Sequence, residues 1–193
     1  MLIVNDSAET CPEEFLQNWL ESFSKELIKR NIITAELNQK ELSVVFLDEK
    51  DAKRINWQYR SKDYATDVLS FSTDDPDAVG ELVMCPQVLK KQALDNKLTY
   101  ENEVTRMIVH GVLHLLGYDH EKSPEDDKKM MTLQEQILTA LEAPPEKKRH
   151  LKIVSGGEKK KPAAKAKKPA VTTAKKAKVV KAKPSRAVKA KKK

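Results

Sequence analysis

HGVLHLLGYDH, residues 110–120, holds three of the four histidines in a chain of 193 residues. His110 and His114 are four apart on an apolar run, which predicts an α-helix with both imidazoles on one face, a turn apart. Leu115 and Leu116 finish that run. Gly117 follows where a helix is commonly ended by a residue in the left-handed conformation, so the chain can turn back and bring His120 to the same point. Three neutral imidazoles with a fourth position open match catalytic zinc, at about 2.0–2.1 Å per Zn–N bond, better than a closed structural site. Zinc in such a site lowers the pKa of a bound water to about 7 and polarises a carbonyl or phosphoryl oxygen. A lone HxxxH pair is often accidental; a third histidine behind a well-placed glycine makes accident the poorer explanation. One Zn2+ per chain on His110, His114 and His120 is the expected cofactor, although nickel, cobalt or copper suit the same donors.

Working outward, Thr99 is a residue type that caps helices and opens the histidine helix. Downstream, SPED (123–126) places Ser at the N-cap, Pro at the first helical position and acids in the first turn of a last helix, to about Leu141. Upstream, LIV (2–4) predicts a short edge strand. TCPE (10–13) has capping-box spacing, with Thr10 as N-cap of an amphipathic helix over 11–30 that Asn31 ends. IITAEL (32–37) and ELSVVFL (41–47) read as a hairpin across the polar turn NQK. Asp48 can cap a second helix through Tyr59. VLSFS (68–72) and GELVMC (80–85) read as further strands, and Pro86 opens another helix. Helices and strands mixed in this way favour an α/β or α+β sheet with helices on its faces, and α+β is the class expected here. The expected architecture is a small mixed β-sheet of about four strands with helices packed on it, and the metal site on a helix and the turn after it.

Charge divides the chain. Residues 147–193 hold 20 Lys+Arg and one acid, Glu158, or +19; residues 1–146 hold 16 bases and 28 acids, or −12. The first segment suits one compact domain with a real core. The second is rich in Lys, Ala and Pro, has no aromatic residue, and is expected to be a disordered basic tail that binds nucleic acid non-specifically by counterion release. Cys11 and Cys85 form no disulfide framework or CxxC pair. The N-terminus lacks a signal peptide's basic start and long apolar stretch, and the apolar runs are too short to span a bilayer. A soluble cytoplasmic protein without a membrane role is the expectation.

The spacing H-x3-H-x5-H with that glycine is shared with the metzincin proteases, which keep a glutamate as general base directly after the first histidine. Gly111 stands there, so peptide hydrolysis would need another proton-transfer agent. HGVLHLLGYDH resembles instead the HGxLHLxGYDH signature of the YbeY endoribonucleases. NWQYRSKDYATDVLSF (56–71) resembles that family's second signature, NxxYRxKDxxTDVLSF, and the likeness extends over roughly residues 1–142. Ala65 and Ser72 stand where the family often has Pro, and Gly80-Glu81-Leu82 where it often has Gly-Asp-Ile; none touches a ligand. The resemblance implies a zinc-dependent hydrolase that cleaves single-stranded RNA and acts in 16S rRNA 3′-end maturation and ribosome quality control. Its partners would be rRNA and the ribosomal small subunit. The three histidines would be metal ligands and Arg60 the cation facing the metal.

Arg60 can fork onto two phosphate oxygens and stabilise charge that grows in the transition state; by itself it also reads as a surface arginine at a helix C-terminus. Lys62 is a weaker candidate for RNA backbone contact. Thr66 and Asp67 precede a strand and read as a loop cap. Asp119 reads first as a turn-former, next as an acceptor orienting a ligand imidazole, and last as a catalytic proton acceptor. Tyr118 can stack on a base or sit in the core, and Cys85 reads as a small buried residue. Attack on phosphorus by a metal-activated water or by the RNA 2′-OH is equally compatible with these residues. The competing reading is a non-catalytic ribosome-assembly or RNA-binding factor with a structural zinc.

Overall fold

A computed structural model describes residues 1–142. The expected basic tail, residues 147–193, and its boundary at 146 lie outside the described residues. In chain order the elements are β1 (Leu2–Asp6), α1 (Glu13–Lys29), β2 (Glu41–Leu47), α2 (Glu49–Arg60), β3 (Val68–Phe71), β4 (Ala78–Met84), α3 (Pro86–Asn96), α4 (Tyr100–Leu115) and α5 (Pro124–Glu142). The four strands form one mixed sheet in the order β1-β2-β4-β3. β1, β2 and β4 run parallel and β3 runs antiparallel to β4. The fold is therefore α+β, as the patterning predicts.

Register fixes which side chains share a face. Ile3, Val44, Leu82 and Ser70 are level with one another across the sheet, as are Asn5, Phe46, Met84 and Val68. Because side chains alternate along a strand, Phe71, Leu69, Val83 and Val45 point to the opposite face. The first face carries the main core: Val44, Phe46, Leu82 and Met84 are fully buried with Leu16 of α1, Ile108 and Leu113 of α4, and Met130 and Ile137 of α5. Ser70 donates to the carbonyl of Gly111 at 3.3 Å, which sets α4 on that face. Phe71, one residue later, packs edge-on against Tyr59 and so sets the end of α2 on the other face. β3 is an edge strand, and it emerges between α2 and α4.

Three local expectations are corrected. Residues 32–37 form no strand, and β2 pairs with β1 and β4 instead of an upstream hairpin partner. The apolar pair Ile32-Ile33 is taken up by the end of α1. Asn31 adopts φ +56°, its N–H bonds the Ile28 carbonyl and the Ile32 N–H bonds the Leu27 carbonyl, a helix-ending turn that folds both isoleucines against the core. A short 3-10 turn, Leu37–Gln39, then leads into β2. Thr10 does not cap α1; Pro12 holds that position, and Glu13 and Glu14 complement the helix N-terminus. Asp48 does occupy the N-cap of α2, but its carboxylate accepts from the Ala8 N–H at 3.0 Å and the Gln87 amide at 2.9 Å. It ties two loops together rather than capping.

Candidate metal centre

α4 begins and ends as its sequence dictates. The Thr99 hydroxyl accepts from the Asn102 N–H at 3.2 Å. Val104, Ile108, Val109, Val112 and Leu113 are buried, which turns His110 and His114 to the rim of the core, both partly exposed. At the other end Gly117 takes φ +90°. Its N–H bonds the His114 carbonyl at 2.9 Å and the Tyr118 N–H bonds the Leu113 carbonyl at 3.0 Å. This paired arrangement satisfies the last helix carbonyls and reverses the chain. Beyond it, the Asp119 carboxylate accepts from the Glu121 N–H at 2.9 Å. The Ser123 hydroxyl accepts from the Asp126 N–H at 3.1 Å and caps α5. His120 sits in the middle of this turn.

One ring nitrogen from each of His110, His114 and His120 lies within 4.8 Å of the others, close enough together to hold one metal ion. Ring centroids are 4.7 Å apart for His110 and His114, and 5.2 Å from each of them to His120. The tautomers follow from the hydrogen bonds. His114 Nδ1 is 3.0 Å from the Tyr118 carbonyl, which can only accept, so that nitrogen carries the proton. His110 Nδ1 is 2.9 Å from Gln134 Oε1, which likewise accepts. Both Nε2 lone pairs then face inward, 3.1 Å apart. Two bare lone pairs at that separation repel unless they share a cation, and the spacing suits two bonds of about 2.0–2.1 Å to one ion. Burial, chiefly, and the neighbouring imidazoles hold His110 and His114 below the ordinary histidine pKa, which keeps them in the neutral, ligating form. The donor set and its supports fit a divalent metal, and the 30 % exposure of the His120 side chain leaves one side of the centre open.

That side is a groove of about 750 Å3 running over the β3 edge between α2 and α4. Arg60 and Asp119 line it together with the three histidines, as do Thr66 and Asp67. Arg60, at the end of α2, reaches across to Glu121 at 3.0 Å. Lys62 is exposed beyond the helix end and is not among the groove's lining residues. Asp67 accepts from the Thr66 hydroxyl and the Val68 N–H, both at 2.8 Å, and from Gln92 at 3.0 Å. It thereby fixes the loop that carries Arg60 into β3. The Asp119 carboxyl is held below its usual pKa by the Glu121 N–H and then by Lys122.

Gln134 escapes a reading of the sequence. It is only 2 % exposed and comes from α5, fourteen residues past His120, so only the docking of α5 on α4 brings it to His110. The Tyr118 carbonyl, not the Asp119 side chain, orients His114. Gly111 also has a packing role. A Cβ there would lie 2.7 Å from Leu82 Cδ2 and 3.1 Å from Ser70 Oγ. Position 111 therefore presses on the sheet, where a carboxylate could not be accommodated.

The chain is similar to known proteins. The sequence model of the family described as Endoribonuclease YbeY matches residues 2–142. A Bdellovibrio bacteriovorus protein named Endoribonuclease YbeY is 47 % identical over 141 residues, covering 73 % of this chain and 94 % of its own length. A Persephonella marina protein of the same name is 38 % identical over 122 residues, 60 % of this chain and 80 % of its own. The solution structure of a Thermotoga maritima protein superposes with a TM-score of 0.52 at 29 % identity, covering 72 % of this chain and 89 % of the other. The match over nearly every described residue shows that the chain belongs to the YbeY endoribonuclease family.

Proposed function

We propose that the protein is a zinc-dependent endoribonuclease that cuts single-stranded RNA, acting on the 3′ end of 16S rRNA and in ribosome quality control. The observation that carries this reading is the convergence of three oriented imidazoles with the Arg60 guanidinium in one open groove. Bound at His110, His114 and His120, zinc would supply Lewis acidity and water activation near neutral pH. The remaining work falls to the chain. Gln134 and the Tyr118 carbonyl hold the two Nδ1 protons and so aim both Nε2 atoms inward. Arg60, paired with the exposed Glu121, would exchange it for a phosphate and fork onto two of its oxygens where charge grows. Asp119, directly before His120 and lining the groove, is a candidate proton acceptor; Lys62 is a flanking contact for RNA backbone at most.

The organisation we infer is a catalytic domain of residues 1–146 and a nucleic-acid-binding tail of residues 147–193, working in the cytoplasm with the small ribosomal subunit. Among the described residues, no helix is long and apolar enough to cross a membrane. The test is cleavage of a defined single-stranded RNA by purified, metal-analysed protein. Arg60→Ala should keep fold and metal content and lose cutting, while His114→Ala should lose both metal and cutting. Metal-loaded wild type that cuts no RNA, with Arg60→Ala still impairing ribosome maturation, would leave the non-catalytic assembly factor as the function. Chemical analysis of the new 3′ end separates attack by water from attack by the 2′-OH.

A further inference from the structure

Large aromatic rings are scarce in this chain, at 5 % of residues, and their distribution is uneven. Every exposed Trp or Tyr of the described residues falls within residues 57–64: Trp57, Tyr59 and Tyr64, each more than half exposed. Of these three only Tyr59 lines the groove. It immediately precedes Arg60. Its ring meets Phe71 edge-to-face, with centroids 4.9 Å apart and planes at 68°. Phe71 is half-buried on the edge strand, and Asp67 anchors the start of that strand. Tyr59 is thus braced by a ring fixed to the sheet while 59 % of its surface stays in water.

Water-exposed aromatic area is costly to leave uncovered, and a braced ring loses little freedom when something stacks on it. The groove specifies what would stack. Arg60 and Arg106 are its cations, bridged to Glu121 and Glu135, and the carboxylates of Asp67, Asp119 and Glu121 line it as well, so the ring and the adjacent Arg60, released from the exposed Glu121, are the set a ligand would meet. A flat π-system joined to a phosphate fits this set, and an unpaired nucleotide has both. A base within a duplex has its faces covered by neighbours and could not use the ring.

We propose that Tyr59, braced by Phe71, is a base-stacking platform that receives one unpaired base of single-stranded RNA next to the phosphate held by Arg60. The inference rests on the ribonuclease reading above and adds a binding residue and a source of single-strand preference. Because every base has a π-face, the platform tolerates any sequence.

The test uses full-length protein and 2′-O-methyl oligoribonucleotides, which resist attack by their own 2′-OH, carrying 2-aminopurine at successive positions. Stacking on the ring should quench the fluorophore at one position of a bound single strand. Tyr59→Phe keeps the π-face and should keep the quench. Tyr59→Leu keeps apolar area without it; the quench should vanish and affinity fall about 10-fold. Trp57→Leu, outside the groove, should leave the quench in place. Binding with equal affinity and equal quench in Tyr59→Leu overturns the platform and leaves the ribonuclease reading standing. Absence of single-strand binding by wild type overturns both. Should Tyr59→Leu fail to fold by circular dichroism, wild type alone decides: a single quenched position supports the platform, and uniform emission refutes it.

Discussion

His110 and His114 can face each other nitrogen to nitrogen only because each has committed its other ring nitrogen elsewhere, to Gln134 and to the Tyr118 carbonyl. Those acceptors should matter almost as much as the ligands. Gln134→Leu keeps buried volume but frees the His110 ring, and zinc affinity should fall about 10–100-fold while the fold survives. Competition with a chelator of known affinity measures this, and an unchanged affinity would remove Gln134 from the site. Protons compete for the same lone pairs. Burial first, then neighbouring imidazoles, lower both histidines in the folded chain. The unfolded chain therefore protonates first. The stability tied to the neutral rings is fully present above the unfolded value of about 6.5 and is lost as pH falls through the folded values. Metal-free wild type should accordingly lose more stability between about pH 7 and 5 than metal-free His114→Asn, which lacks one of the two rings. Denaturant midpoints on both proteins read the difference; equal losses would show that the depressed histidine contributes nothing.

At the scale of elements, two glycines of α4 and its exit make opposite demands. At Gly117 nothing lies within 4 Å of a built Cβ, so the requirement is the positive φ alone. At Gly111 the backbone is ordinary helix and the requirement is space against Leu82 and Ser70. Gly117→Ala should cost about 1–2 kcal/mol through its backbone and loosen His120. Gly111→Ala gains about 1 kcal/mol of helix propensity against about 1–3 kcal/mol of overpacking, a net loss of about 1 kcal/mol. The second effect should couple to Leu82→Val in a double-mutant cycle and the first should not. The same contrast explains what the sequence could disclose. Gly117, Thr99 and Ser123 act within one turn of themselves, so α4, its turn and the α5 cap are legible from spacing. Ile32 and Ile33 look like strand residues, but the helix-ending turn at Asn31 claims them. Gln134 and the contact of Gly111 with Leu82 depend on how elements dock, and no local pattern encodes that. Nor does spacing reveal that β2 lies between two parallel partners, since β1 and β4 reach it only through long crossovers.

For the whole molecule, the sheet sets the site by splitting its neighbours. Ser70 points to α4 and Phe71 to α2, so the edge strand holds the three histidines on one bank of the groove and Tyr59-Arg60 on the other. A polyanion entering that groove approaches a body whose first 146 residues sum to −12. Beyond a Debye length of about 8 Å at physiological salt such charge is screened, but at low salt it opposes encounter. The +19 of residues 147–193 reverses the sign of the full chain to +7. Full-length protein should therefore bind single-stranded RNA with an affinity that falls steeply as salt rises, with a log–log slope of about −0.7 for each phosphate neutralised. A chain ending at Glu146 keeps Arg60 and the histidines and should keep zinc and the thermal transition. Its affinity should be weaker at low salt and its slope shallower, and the two proteins should converge as salt is raised. Titrations of one fluorescent oligonucleotide across a salt series test this directly. Equal slopes would mean that the basic segment does not engage RNA, and the acidic domain would then have to draw its substrate in through Arg60 and the groove alone.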